Sequence, residues 1–283
     1  MTYCPSLNQA YLLGDIMYDL NRINDCLNTK IVGRTIIQYE SLDSTYSKSR
    51  SIFNTCPEGT VVLSENQLKW DVRTGSRWIC YPNKNIYLSI IFKPATSNLS
   101  ISKFDFIGCT SLFEALNSLY DIDLKIKWPN DILIRGEKVS SISSQFVVKN
   151  TGGVIISLGI NANMNKEELE LNGKTPHTAT SLMVETGGQI DREVLIGEVL
   201  NKFEKYYIQL IYDNSVESAI DIYNRNLIIF GKIIEVTNKG KKSRRKVYAK
   251  GIDSEGRLIV KNEKGNDEIL IPGETIIKYE KNA

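Results

Sequence analysis

The chain has 283 residues, of which 42% are hydrophobic and 24% charged, with a net charge of +2 at neutral pH. These are ordinary globular values, enough for one large domain or a main domain with a small appendage. Near-neutrality gives no global argument for binding nucleic acid or a membrane surface. No run approaches the roughly 20 apolar residues of a membrane span. The opening residues lack the basic region and apolar core of a secretory signal, so a cytoplasmic location is expected.

In chain order, residues 7–28 carry helical apolar spacing through Leu12, Ile16, Leu20, Ile23 and Leu27 and predict a lead-in helix. The texture then changes to strand-like segments at IVGRTIIQYES, GTVVLSEN and IYLSIIF, followed by an amphipathic helix over 101–120. Next come LKIKW, a turn at Pro129-Asn130, DILIRG, a strand through SSISSQFVV, and GGVIISLGINAN. Helices are predicted near 165–171, at 192–213 with Leu195, Val199, Phe203, Tyr206 and Leu210 on one face, and at 215–224. After Phe230 five short segments (GKIIEVTN, KVYAKGID, GRLIVKN, DEILIPG, ETIIKYE) alternate with Gly, Asn and Asp turns, as in a small β-barrel. The expected organisation is a lead-in helix over 1–30, a main α+β domain over 31–227 and a small barrel over 228–283. The basic run at 238–246 reads as a solvated hairpin loop, with docking of an acidic partner as the alternative.

The five cysteines, Cys4, Cys26, Cys56, Cys80 and Cys109, are scattered and form no CxxC pair. With a single histidine, His177, a zinc site is not expected, and the thiols read as reduced. His177 lies in the polar stretch NGKTPHTAT with no GxSxG before it, which excludes a serine triad.

The stretch KIKWPNDILI at 125–134 is unusual, because it crowds a lysine, a proline, an asparagine and an aspartate against an aliphatic run. A buried strand tolerates such a group badly, and it belongs at the mouth of a site. KWPND followed by an aliphatic strand and a turn through Gly136, Lys138 and Val139 resembles the signature of biotin protein ligases. The D-S-T turn at 43–45, GTVVLSENQ at 59–67, Trp78 before NIYLSIIF, LGINAN, ATSL at 179–182, and GIDSEGRLIV with PGE at 272–274 follow that family's order and spacing.

The resemblance implies a class II synthetase-like catalytic domain, a mixed β-sheet backed by helices, followed by a small five-stranded SH3-like barrel. It also implies a reaction: ATP and biotin form an acyl-adenylate, and a lysine of a biotin carboxyl carrier protein then attacks it. In that scheme Lys127 and Arg73 are catalytic. Ser44, Thr45, Tyr46, Gln67, Trp70, Trp78 and Lys127 line the acid pocket, and Arg73, Asn130, Asp131 and Asn161 serve the nucleotide. Read for chemistry alone, joining two anions needs cations at the phosphates, and Lys127 and Arg73 are the candidates. Asp131 is the candidate carboxylate for Mg²⁺, which favours one or two carboxylates plus phosphate oxygens. The stretch before residue 31 is too short for the winged helix-turn-helix of some relatives, so no DNA recognition is expected. A carrier protein is the expected partner, and the chain itself is expected to be a monomer or homodimer.

The sequence also departs from the family pattern. The ligand loop G-R-G-R-x-G-R-x-W reads WDVRTGSRW at 70–78, which keeps Arg73, Gly75 and Trp78 but places Trp70 and Val72 where glycines stand. Bulky and β-branched residues do not take up positive φ cheaply, and Asp71 reverses a charge beside an anion. The segment K-V-x-G-I-L-x-E reads KVSSISSQ, which brings in Ser141, Ser143 and Gln145, and the turn D-S-T-N ends in Tyr46. Two readings stay open at this level. One is a working biotin ligase with a drifted loop. The other is a paralogue rebuilt for a different carboxylic acid, or for binding without turnover.

Overall fold

A computed structural model describes residues 17–68, 80–94, 100–147, 152–171, 179–240 and 243–279. The elements in order are α1 (Leu20–Cys26), β1 (Ile36–Leu42), α2 (Thr45–Ile52), β2 (Val61–Gln67), β3 (Ile86–Phe92), α3 (Ile101–Leu119), β4 (Leu124–Lys127), β5 (Asp131–Ile134), β6 (Glu137–Val147), β7 (Gly153–Ile160), α4 (Lys166–Leu171), α5 (Leu182–Thr186), α6 (Arg192–Tyr212), α7 (Glu217–Asn226), β8 (Ile233–Asn238), β9 (Arg245–Ile252), β10 (Leu258–Lys261), β11 (Asp267–Leu270) and β12 (Thr275–Lys278). Seven strands form a mixed sheet in the order β1-β2-β3-β7-β6-β5-β4, parallel only at β1–β2. The last five form an antiparallel sheet in the order β11-β10-β9-β8-β12. The architecture is the expected one, a mixed sheet backed by helices followed by a five-stranded β module.

One face of the large sheet packs on α3 and α6. Leu88 and Ile90, Leu158 and Ile156, and Ile142 point to that side, all fully or almost fully buried. Gly108 of α3 makes the approach close, since a β-carbon there would stand 3.0 Å from Ile142 and 3.3 Å from Phe203. The opposite face is covered at one end by α2, where Phe53, Cys56, Ile91, Val147 and Ile155 make a second apolar cluster with Tyr46 and Ile52 against it. Strands buried on both faces usually read as unbroken apolar runs. Here the second face is interrupted by serines, and that interruption makes the site.

Two expectations change. The lead-in helix begins at Leu20, because Asp19 caps it by accepting from the amides of Asn21 and Arg22. Met17 to Asp19 are not helical, and Leu12 and Ile16 lie outside the described residues. Tyr18 is drawn inward instead: its hydroxyl donates to the Asn85 carbonyl at 3.0 Å and its ring lies under the Arg192 guanidinium. The first strand begins at Ile36, not Ile31. The amides of Lys30, Ile31 and Val32 are taken by the buried Glu204 carboxylate at 2.5, 2.7 and 2.8 Å, which holds that stretch in a turn.

Candidate active site

The register of the large sheet assigns side chains to faces, since directly paired residues project to the same side. One line of pairs crosses five strands: Lys127 to Asp131, Asp131 to Ser141, Ser141 to Gly159, and Gly159 to Tyr87. The next line, two residues along, is Ser143 to Ser157 to Ser89. The third is Gln145 to Ile155 to Ile91, which runs under α2. Lys127 therefore shares a face with the serine line and sits one line away from it. At the centre of this face the side chains are a glycine and serines, too small to fill the layer beneath α2. A small pocket results there, lined by Ser44, Thr45, Tyr46, Gln67, Ser143, Gln145 and Ser157.

The D-S-T turn brings α2 to this face. Ser44 is the N-cap, its hydroxyl accepting from the Ser47 amide at 3.4 Å. The Thr45 amide donates to the Gln67 side-chain oxygen at 2.8 Å, tying the start of the helix to the end of β2. The Thr45 hydroxyl accepts from Ser89, and Ser89 is bonded to Ser157 at 2.7 Å.

KWPND is held from three sides. The Trp128–Pro129 peptide is cis. The buried Trp128 indole N–H donates to the Gly256 carbonyl in the β9–β10 turn at 3.1 Å, and the Pro129 carbonyl accepts from the Tyr223 hydroxyl of α7 at 3.0 Å. Burial pushes the Tyr223 phenol well up, so it stays a donor. Asn130 is bonded to β6 through both groups: its carbonyl accepts from the Ile142 amide at 2.9 Å and its side-chain amide donates to the Ile142 carbonyl. Asp131 accepts from the Ser141 hydroxyl and pairs with Lys138, both at 2.8 Å on the same oxygen. Asn161, just past β7, gives its side-chain amide to the Thr180 carbonyl at 2.9 Å.

Of the residues singled out from the sequence, Ser44, Thr45, Tyr46 and Gln67 line one pocket, and Lys127 and Asp131 lie on the adjoining line of the same face. Asn130 and Asn161 are built into the framework around it. Arg73, Trp70 and Trp78 lie outside the described residues. Sequence reasoning missed Ser89 and Ser157. The signal was present as one serine inside each of two otherwise apolar strands, IYLSIIF and GVIISLGI. Among the described residues no group of three or more His, Cys, Asp or Glu side chains stands close enough to hold a metal ion. None of the described helices is long and apolar enough to cross a membrane.

The polar pocket on the seven-stranded mixed sheet, with KWPND reaching the same face, is the candidate active site. Residues 38–163 match the Biotin/lipoate A/B protein ligase family. The chain is 25% identical over 257 residues to the Bifunctional ligase/repressor BirA of Bacillus subtilis, covering 86% of this chain and 74% of that protein. It is also 25% identical over 235 residues to the Biotin--[acetyl-CoA-carboxylase] ligase of Paracoccus denitrificans, covering 80% of this chain and 94% of that one. The biotin protein ligase of Aquifex aeolicus, solved in complex with biotin and ATP, has the same fold, with a TM-score of 0.72 at 21% identity over 87% of this chain and all of that chain. The likeness to biotin protein ligases runs over most of the chain, and the match to the family itself covers residues 38–163.

Proposed function

We propose that this chain is a biotin protein ligase. In the first step a biotin carboxylate oxygen attacks the α-phosphorus of ATP, giving biotinyl-5'-AMP and releasing pyrophosphate. In the second, a lysine amine of a biotin carboxyl carrier protein attacks the acyl carbon, AMP leaves, and an amide forms with loss of a proton to solvent. The observation that carries the reading is the position of Lys127, on the same sheet face as the Ser44–Thr45–Gln67 pocket and one line of pairs away. Its ammonium is suited to lie between the carboxylate and the α-phosphate, reducing their repulsion and then balancing the charge of the transition state. The names and bound ligands of the relatives support the same reaction.

Arg73 is assigned to retaining the adenylate, and Trp70, Trp78 and Tyr46 to covering the acid. Asn130 and Asn161 act mainly as positioning residues, since their side-chain N–H groups are committed to the Ile142 and Thr180 carbonyls. Asp131 does not fit a resident magnesium site. It is a single carboxylate already engaged by Lys138 and Ser141, and a cation there would have to displace the ammonium. Magnesium accordingly enters as a complex with the ATP phosphates.

The test is biotin-dependent exchange of labelled pyrophosphate into ATP, followed by transfer of biotin to a purified carrier domain. Exchange and transfer together are the expected result. Exchange driven by another carboxylic acid and not by biotin would overturn the choice of acid, and no exchange with any acid would overturn the ligase reading.

A further inference from the structure

The four hydroxyls under the pocket can be inventoried for protons. Thr45, Ser89 and Ser157 form a row with two hydrogen bonds, Ser89 to Thr45 at 2.8 Å and Ser89 with Ser157 at 2.7 Å. Ser89 gives its one proton to Thr45, so Ser157 donates to Ser89, and the proton left over is that of the Thr45 hydroxyl. Ser143 lines the same pocket beside Ser157. It is 8% exposed, and its oxygen has no hydrogen-bond partner among the described residues. A buried hydroxyl in that condition costs stability in the ligand-free protein, and an unpaired group on a residue that lines a pocket calls for a partner from the ligand.

We propose that Ser143 is a specificity-determining residue whose hydroxyl, with the leftover proton of the Thr45–Ser89–Ser157 row, seats a neutral carbonyl-type acceptor of the bound acid. The inference rests on the ligase reading above and narrows it. The pocket is lined by hydroxyl and carboxamide groups and no charge, which suits the oxygen of a cyclic urea or amide. It disfavours an acid whose buried end is wholly apolar, because that end would leave the Ser143 and Thr45 hydroxyls unpaired. Biotin carries such a urea, whereas the dithiolane ring of lipoic acid offers no comparable acceptor.

Ser143→Ala and Ser143→Leu decide the matter, with biotin and lipoic acid as probes in calorimetric titration and with the melting temperature of the ligand-free proteins. For Ser143→Ala the affinity for biotin is expected to fall about three- to tenfold, the scale of one neutral hydrogen bond. Binding of lipoic acid should not weaken, and the ligand-free melting temperature should hold or rise because an unpaired buried hydroxyl is gone. Ser143→Leu should lower biotin affinity further, by filling the seat as well as removing the donor. Undiminished biotin affinity in Ser143→Ala would overturn the inference while leaving the ligase reading in place. A lowered melting temperature with equal loss for both acids would also overturn it, since that marks a structural role. A wild-type protein that takes up no biotin would overturn both.

Discussion

Trp128 and Gly256 lie 128 residues apart, and the indole N–H of the first donates to the carbonyl of the second at 3.1 Å. The tryptophan of KWPND is thus the bolt between the large sheet and the β9–β10 turn of the small sheet. Gly256 has φ +76°, and a β-carbon there would stand 2.9 Å from both Phe106 and the Ser102 carbonyl, so the turn is pressed onto α3. Lys103 of α3 adds an ion pair to Glu255 at 2.8 Å. The small sheet therefore braces the segment that carries Lys127.

From that brace, Trp128→Phe is expected to cost about 1 kcal/mol through the lost bond, and Trp128→Ala about 3–5 kcal/mol through the cavity as well. Gly256→Ala should destabilise by a comparable amount, because positive φ and the contact with α3 both oppose it. Urea denaturation measures all three. Adenylate formation should slow in Trp128→Phe even where the protein is fully folded, since Lys127 is the adjacent residue. An unchanged rate in the folded variant would show that the brace has no bearing on the site.

Glu204 gives a purely structural prediction. Its buried carboxylate accepts from three successive amides, so Glu204→Gln should cost about 2–3 kcal/mol, and Glu204→Ala more, by stranding three donors. Denaturant midpoints check this, with the far-ultraviolet circular dichroism of the surviving native state unchanged. A loss under 0.5 kcal/mol, the range of a surface substitution, would show that water reaches those amides.

Much of this architecture is legible in the sequence. IYLSIIF, GGVIISLGI and the paired segments after Phe230 read as strands because apolar runs end at Gly, Asn and Asp turns. The helices over 101–120 and 192–213 read from their spacing. What was not legible has physical reasons. The segment TYSKSRSI forms α2 through the Ser44 cap and the packing of Tyr46, Ile52 and the following Phe53 with Ile91, Val147 and Ile155, with little apolar periodicity of its own. The start of α1 depends on Asp19, and the turn at 31–35 on Glu204, a residue more than 170 positions away. Of the site, KWPND and the Ser44–Thr45 turn could be found by motif. Ser89 and Ser157 are unremarkable serines until strand register brings them together, because pairing between segments 68 residues apart leaves no local trace.

Cys80 tests the environment where the chain re-enters the described fold before β3. Burial, partly offset by a hydrogen bond with Tyr87, pushes its thiol up to about 11 from 9.0. The protonated thiol is the form favoured by folding, so at pH 8 the thiolate fraction falls roughly a hundredfold below that of an unperturbed cysteine. Alkylation by iodoacetamide, followed by peptide mass spectrometry, should be slower than for a cysteine peptide by about that factor, and should accelerate as pH rises towards 11. Reaction at the peptide's rate at pH 8 would mean the thiol is not buried as described.

Lys127 carries the last prediction. Its place in the register fixes which face it serves: Lys127 pairs with Asp131, Asp131 with Ser141, and Ser141 with Gly159, all on the pocket side. Its neighbour Ile126 points to the core and is fully buried. Replacing Lys127 therefore leaves the core untouched, and Lys127→Ala should fold with a melting temperature near that of the wild type. Pyrophosphate exchange should fall at least about a hundredfold, equivalent to about 2.7 kcal/mol of lost transition-state stabilisation. Lys127→Arg should fail nearly as badly, because a planar fork does not replace a compact ammonium between two anions. If the lysine served only to attract ligand, Lys127→Ala would raise KM and leave kcat intact, and Lys127→Arg, which keeps the charge, would be nearly unaffected. The expected result is the reverse, with biotin affinity changed modestly and the rate of adenylate formation lost, as rapid-quench measurement of bound biotinyl-5'-AMP would register.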